Sequence, residues 1–165
     1  MAKSMTNSFY IRRTVNVDSD SPVVTSIDTS AYVDPADRQG IMIESVDYIF
    51  YNRVDNLPLQ SASEYITVQL LTGAYTTLQA FDEEDLISSA GLTIDSNGTP
   101  SMDQNQFPDV LGSKDGRVVV DDVLSVIGEG RSGLLNGECA IIIKCKVVKL
   151  AQKDYMALAL QTVAN

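Results

Sequence analysis

The chain has 165 residues, of which 44% are hydrophobic, 7% aromatic and 21% charged, enough for one domain with a core that needs no covalent cross-links. It contains neither His nor Trp, which excludes Ser-His-Asp hydrolases, His zinc sites and the H-E-x-x-H protease motif. The formal charge of −10 argues against direct nucleic-acid binding through the general surface, since phosphate contact needs clustered Lys and Arg.

The charge is unevenly spread. Residues 1–13 carry Lys3, Arg12 and Arg13 with no acid, net +3, and residues 137–165 are net +2. The stretch between holds 5 bases against 20 acids. Such polarity can turn the basic ends of a subunit toward a partner, or it can be ordinary solvated charge.

In chain order the dominant period is two, the signature of half-buried strands. An opening strand runs from Phe9 and Ile11 to Val15 and Val17, and Val23 to Ile27 follows the Ser21–Pro22 turn. A long strand is expected from Ile41 to Tyr51. Its apolar face changes side midway, so it needs a bulge near Ser45 or burial on both faces. Asn52 to Ser63 reads as a loop, Tyr65–Leu71 as a strand and Tyr75–Phe81 as a short partner strand. Asp82-Glu83-Glu84-Asp85 then carries the one good helix signal: an Asp N-cap, acids in the first turn, and Gly91 after the end.

Ser96–Gly116 is rich in Asn, Gly, Asp and Gln, with Phe107, Val110 and Leu111 as isolated apolar anchors. It is expected to be a long surface loop. Strands follow at Val118–Ile127 and Cys139–Leu150. In Tyr155–Val163, residues Met156, Leu158 and Leu160 alternate with Tyr155, Ala157 and Ala159. The alternation favours a strand, whereas the Ala, Leu, Met and Gln content favours a helix; the alternation is given precedence. About eight strands and one short helix predict an all-β, antiparallel β-sandwich, with a jelly roll as the leading member of that class. Residues 14–165 would form this domain and residues 1–13 an N-terminal arm.

The candidate chemical motifs have structural readings. Asp95-Ser96-Asn97-Gly98 starts like a calcium loop, but the twelfth position is Gln106 and no helices frame it, so a turn is expected. Asp121 and Asp122 are adjacent in a strand-like run and point to opposite faces. Gly128-Glu129-Gly130 lacks the remainder of a dinucleotide fingerprint. Cys139 and Cys145 are six residues apart, hence on one face of a strand and roughly 20 Å from each other, too far for a disulfide. Lys144 and Lys146 face the other way and do little to activate Cys145. No catalytic, cofactor-binding or metal-binding residues are therefore assigned.

The N-terminal residues lack the apolar core of a secretion signal, and apolar runs such as Cys139–Ile143, five residues long, fall far short of the ~18–20 of a membrane helix. A protein made soluble in its host's cytoplasm is expected.

The succession Gly40-Ile-Met-Ile-Glu-Ser-Val-Asp-Tyr-Ile-Phe50, Tyr65-Ile-Thr-Val-Gln-Leu-Leu-Thr72 and Asp85-Leu-Ile87, with the closing segments Cys139–Leu150 and Tyr155–Val163, resembles single jelly-roll major capsid proteins of tailless icosahedral viruses of archaea and bacteria. The resemblance is one of strand order and texture over most of residues 40–165. It implies a virion shell subunit that self-assembles, without cofactor or enzymatic activity. Its partners would be copies of itself and, in addition, other virion proteins or an internal membrane. The chain lacks the Lys/Arg-rich arm of capsids that package nucleic acid directly. Lys3, Arg12, Arg13, Phe107, Val110 and Leu111 are the candidate assembly residues, because residues 3–13 and 96–116 are the parts least needed to close a sandwich and are expected to be ordered by neighbouring copies. Two further readings stand beside this one: a β-sandwich binding or adhesion module (spike, tail or carbohydrate-binding domain), and an enzyme with a carboxylate or metal site built across loops.

Overall fold

A computed structural model describes residues 2–59, 64–106, 116–131 and 136–164. Among them are ten strands and one helix: β1 (Lys3–Ser4), β2 (Phe9–Asn16), β3 (Val23–Asp28), β4 (Gln39–Asn52), β5 (Glu64–Thr72), β6 (Leu86–Ile94), β7 (Pro100–Gln106), β8 (Arg117–Val119), β9 (Val123–Arg131), β10 (Gly137–Lys149) and α1 (Gln152–Ala164). The chain is all-β with antiparallel sheets. In sheet 1, β10 lies between β4 on one side and β1 and β2 on the other, and β8 closes the far edge beyond β4. Sheet 2 has the order β3-β9-β5-β6-β7.

Four strand pairs nest inside one another along the chain: β2 with β10, β3 with β9, β4 with β8, and β5 with β6. Two further contacts, β10 with β4 and β9 with β5, join alternate pairs sideways. Successive pairs thus fall in opposite sheets, which brings two inward faces together. Cys139, Ile141, Ile143 and Cys145 of β10 and Val46, Tyr48 and Phe50 of β4 share one buried cluster with Ile66, Val68 and Leu70 of β5 and Leu124 and Val126 of β9. Each such aliphatic or aromatic side chain contributes about 1.5–3 kcal/mol by leaving water. The Tyr48 hydroxyl lies 2.5 Å from the Ser88 Oγ, a buried hydrogen bond from one sheet to the other.

The face change in β4 is a bulge. Lys144 stands opposite Ser45 but Cys145 opposite Ile43, leaving Glu44 as the extra residue. Ile41 and Ile43 face the core before it, and Val46, Tyr48 and Phe50 after it. Both cysteines are buried and unbonded, on the inward side of β10.

Several expectations are corrected. The acidic run at residues 82–85 does not start a helix: it forms turns ahead of β6, and Leu86, Ile87, Ser88, Ser89 and Ala90 are all buried in a strand. Burial from both sides selects strand over helix there. The helix is instead α1, in the segment read as a closing strand, so intrinsic propensity outweighs alternation in residues 152–164. Tyr75–Phe81 is not a strand but part of the β5–β6 connection. The expected loop at 96–116 contains β7, seven residues paired to β6. The expected strand 118–127 is two strands, β8 and β9, interrupted at residues 120–122.

Asp95-Ser96-Asn97-Gly98 is the turn joining β6 to β7. The Asp95 carboxylate accepts the backbone N–H groups of Asn97 and Thr99, each at 2.9 Å, and Gly98 takes a φ of 81°. Gly128 and Gly130 also find a structural reason. The chain leaving β2 crosses directly over them, and a β-carbon on Gly128 would stand 2.8 Å from the Asn16 carbonyl oxygen.

Candidate functional site

The two outward faces of the sandwich differ. On sheet 2 the connection between β5 and β6 folds back across the strands. Gln69 holds it twice: its Nε2 donates to the Gln79 carbonyl at 2.9 Å and its Oε1 accepts the Gln79 N–H at 2.8 Å. Ser125 Oγ accepts the Tyr75 N–H at 3.0 Å and donates to the Gly73 carbonyl at 2.7 Å. The Tyr75 hydroxyl donates to Asp85 at 2.6 Å, and burial followed by the Asp85 carboxylate pushes the phenol above its ordinary range. Beneath this cover Leu71, Leu86 and Ile127 are fully buried, with Val24, Tyr75 and Leu78 packed on them.

Among the described residues, no such cover lies over β2, β10 and the second half of β4 on sheet 1. The strand registers set out its surface in rows: Tyr10, Lys144 and Ser45; Arg12, Ile142 and Asp47; Thr14, Ala140 and Ile49. Tyr10 is 57% exposed and Ile49 50%. The Arg12 guanidinium sits 5.6 Å over the Tyr10 ring, a cation–π contact along the same face. Arg13 is exposed at the open edge and turns its Nη1 back to the Arg12 carbonyl at 2.8 Å. Neither arginine has a carboxylate partner among the described residues.

The neighbouring lysines are engaged. Because the bulge makes Glu44 the extra residue, its carboxylate reaches Lys146 at 3.3 Å and Lys144 at 4.0 Å and accepts the Ser8 hydroxyl at 2.7 Å. Partial burial alone would raise the Glu44 pKa, but the Ser8 hydrogen bond and the two lysines outweigh it and hold the group below 4.5. On the inward side, burial pushes both thiols up to about 12, so Cys139 and Cys145 are protonated at neutral pH.

A cleft of about 770 Å³ opens where β8, α1 and residues 81–85 meet. Its apolar lining includes Met42, Val118, Val120, Leu150, Ala157 and Leu158; among the described residues six carboxylates, Asp82, Glu83, Glu84, Asp85, Asp121 and Asp154, stand against one cation, Arg117. Arg117 is structural: its guanidinium donates to the carbonyls of Glu84 at 2.5 Å and Leu86 at 2.9 Å. Burial lowers its pKa, while Asp85, Asp121 and Glu84 counteract this. Asp121 accepts the Thr72 hydroxyl, and its own carbonyl accepts the Thr29 hydroxyl at 2.7 Å. Gln161 of α1 donates to Glu84 at 2.9 Å. Met156 and Leu160, one turn apart on α1, are 53% and 65% exposed.

The residues expected to act together in assembly are not together. Lys3 is in β1, opposite Lys149, and Ala2 beside it lines the cleft. Arg12 is opposite Ile142, seven positions away along β10 and so roughly 23 Å from Lys3. Residues 9–13 of the expected arm belong to β2, and Ile11 is buried, so the chain's own β10 orders them rather than a neighbouring copy. Phe107, Val110 and Leu111 lie outside the described residues. The acidic cleft and α1 were not read as a site. The signal available was the charge imbalance of residues 14–136, but nothing in the sequence shows that residues 82–85, 121 and 154 meet.

No protein-family model matches the chain, and no curated protein matches it. Among solved structures it is similar to a latent aurone synthase (polyphenol oxidase) from natural source, with 9% identity and a TM-score of 0.29 over 83% of this chain and 26% of that one. It is also similar to the tailspike protein gp49 of Acinetobacter baumannii bacteriophage Fri1, a capsular polysaccharide depolymerase, with 16% identity and a TM-score of 0.18 over 84% of this chain and 21% of that one. The chain therefore spans about a quarter or less of either protein. The expectation of a chain without enzymatic activity is corrected here, because an oxidase stands among the matched structures. At that TM-score the likeness carries no activity over to this chain, and none is assigned.

Proposed function

We propose that this protein is a jelly-roll subunit of a viral shell, assembling with copies of itself. The observation that supports it most is the nesting of the four strand pairs across two sheets. That order is what a long antiparallel hairpin makes when it is rolled up, and the resulting pair of Greek keys is an architecture used by capsid subunits, lectins and cupins. Within that group the shell reading is favoured by apolar side chains exposed in two places, Tyr10 and Ile49 on sheet 1 and Met156 and Leu160 on α1. Exposed apolar patches rimmed by charge are a common mark of protein–protein contact. On this reading the protein resides in the virion after synthesis in the host cytoplasm, and it meets other virion proteins or an internal membrane rather than nucleic acid.

The test is the mass of the purified full chain across a wide concentration range, with negative-stain imaging of the concentrated sample. The reading expects masses far above the 17.9 kDa of one chain and closed particles or regular arrays. A chain that stays monomeric at millimolar concentration overturns it and favours the binding-module alternative.

A further inference from the structure

Resting on the shell reading and deepening it, we infer that copies of this chain join head to tail: the Tyr10–Arg12–Arg13 edge of sheet 1 in one copy seats on the acidic, α1 side of the cleft in the next. Each surface sets exposed apolar side chains beside charge of one sign. On the outward face β2 offers an exposed aromatic ring and the Arg12 guanidinium, and Arg13, opposite Ile141, leaves the same edge from the other face; neither arginine has a carboxylate partner among the described residues. The cleft side offers the Met156–Leu160 ridge beside six carboxylates and, among the described residues, a single, internally bonded arginine. Apolar area meets apolar area, and the charges are opposite.

The same charges decide against the symmetric alternatives. Two β2 edges facing each other would bring arginines against arginines, and two clefts would bring carboxylates against carboxylates; like charges so placed repel. A contact between two different patches of one chain is heterologous, and repeating it makes rings, shells or filaments rather than a closed dimer. The strand order also allows it. β2 and β8 lie at opposite edges of sheet 1, three strand spacings or about 14 Å apart, so one subunit can hold two neighbours at once. Lys144 and Lys146 are not the cationic contact, because Glu44 already occupies them, and Lys3 is at the wrong end of β10.

The experiment uses two full-length variants and their mixture, followed by sedimentation velocity. The head variant is R12E/R13E and the tail variant D82R/E84R; all four positions are exposed, but Glu84 accepts Gln161 and lies beside Arg117, so D82R alone, which touches neither, serves as a second tail variant whose thermal melting should stay close to the original chain. Each variant alone is expected to need at least about tenfold higher concentration to assemble. Mixed in equal amounts, the two offer two complementary pairings, the original head of the tail variant on the original tail of the head variant and the reversed head on the reversed tail, and should form alternating species that neither forms alone. The quadruple variant, R12E/R13E/D82R/E84R, should recover assembly. If the original chain assembles and the single-surface variants assemble equally well, the contact is wrong while the shell reading stands. If the quadruple variant fails to recover although it melts normally, the contact is likewise wrong. If the original chain never assembles, the shell reading fails and this contact with it.

Discussion

The outward faces of the two sheets are built from similar strands but end differently. Sheet 2 is closed by its own chain: residues 73–85 lie across it, held by Gln69 and Ser125, and Leu71, Leu86 and Ile127 are sealed below. Sheet 1 leaves Tyr10, Ile49 and the Arg12 guanidinium in solvent. A face covered by its own connection gains stability from within one chain. A face left bare gains nothing until a second molecule arrives. On the proposed reading, the part of the connection held by Gln69 and Ser125 serves folding, and the bare face is left for assembly.

The largest expected effects should break the covered face and spare the bare one. Replacing Leu71 or Ile127 by Ala opens a cavity under the connection and should cost about 2–5 kcal/mol in chemical denaturation. Ile49→Ala, on the bare face, should stay within about 0.5 kcal/mol. Equal losses at the two places would erase the distinction. Next, Gln69→Ala removes both hydrogen bonds to Gln79 and strands that backbone on an apolar floor, at about 1–3 kcal/mol. It should also speed hydrogen exchange in residues 73–85 while leaving β10 slow.

A smaller effect sharpens the picture of sheet 1. Glu44→Gln should cost about 0.5–1 kcal/mol at neutral pH, because the carboxylate holds Lys144, Lys146 and Ser8. The pKa of Glu44 is depressed in the folded chain, so the carboxylate's stabilisation is complete above its unfolded value and is lost as pH falls through the folded one. The gap between the original chain and Glu44→Gln should therefore be constant at neutral pH and close as the pH drops below 4.5. Denaturation series at several pH values measure it.

Much of the core layout was legible because it rests on period two. The side change between Ile43 and Val46 announced the bulge, and the even spacing of Cys139 and Cys145 placed both thiols inward and unbonded. Failures came where a local signal had two physical meanings. Acids at 82–85 suit a helix N-terminus, yet here they rim a cleft, while Leu86–Ala90 is buried from both sides in β6. Met156, Leu158 and Leu160 alternate like a strand, but helix propensity prevails where α1 runs along the surface. β7 was invisible because its residues, Pro100-Ser-Met-Asp-Gln-Asn-Gln106, are those of an exposed edge and carry no apolar alternation. The candidate contact surfaces depend on which distant segments meet, and only the strand order supplies that.

The central claim is that the bare face, α1 and the acidic residues 82–84 beside it are covered by other copies, while the part of the connection over Leu71, Leu86 and Ile127 stays as it is. Hydroxyl-radical footprinting of assembled particles against dissociated subunits, read by mass spectrometry at single residues, tests it most directly. Tyr10 and Met156 should be strongly oxidised in subunits and protected several-fold in particles, with Tyr75 unchanged between the two states. Tyr10 and Met156 as reactive in particles as in subunits, or protection confined to the sheet 2 connection, would contradict the account.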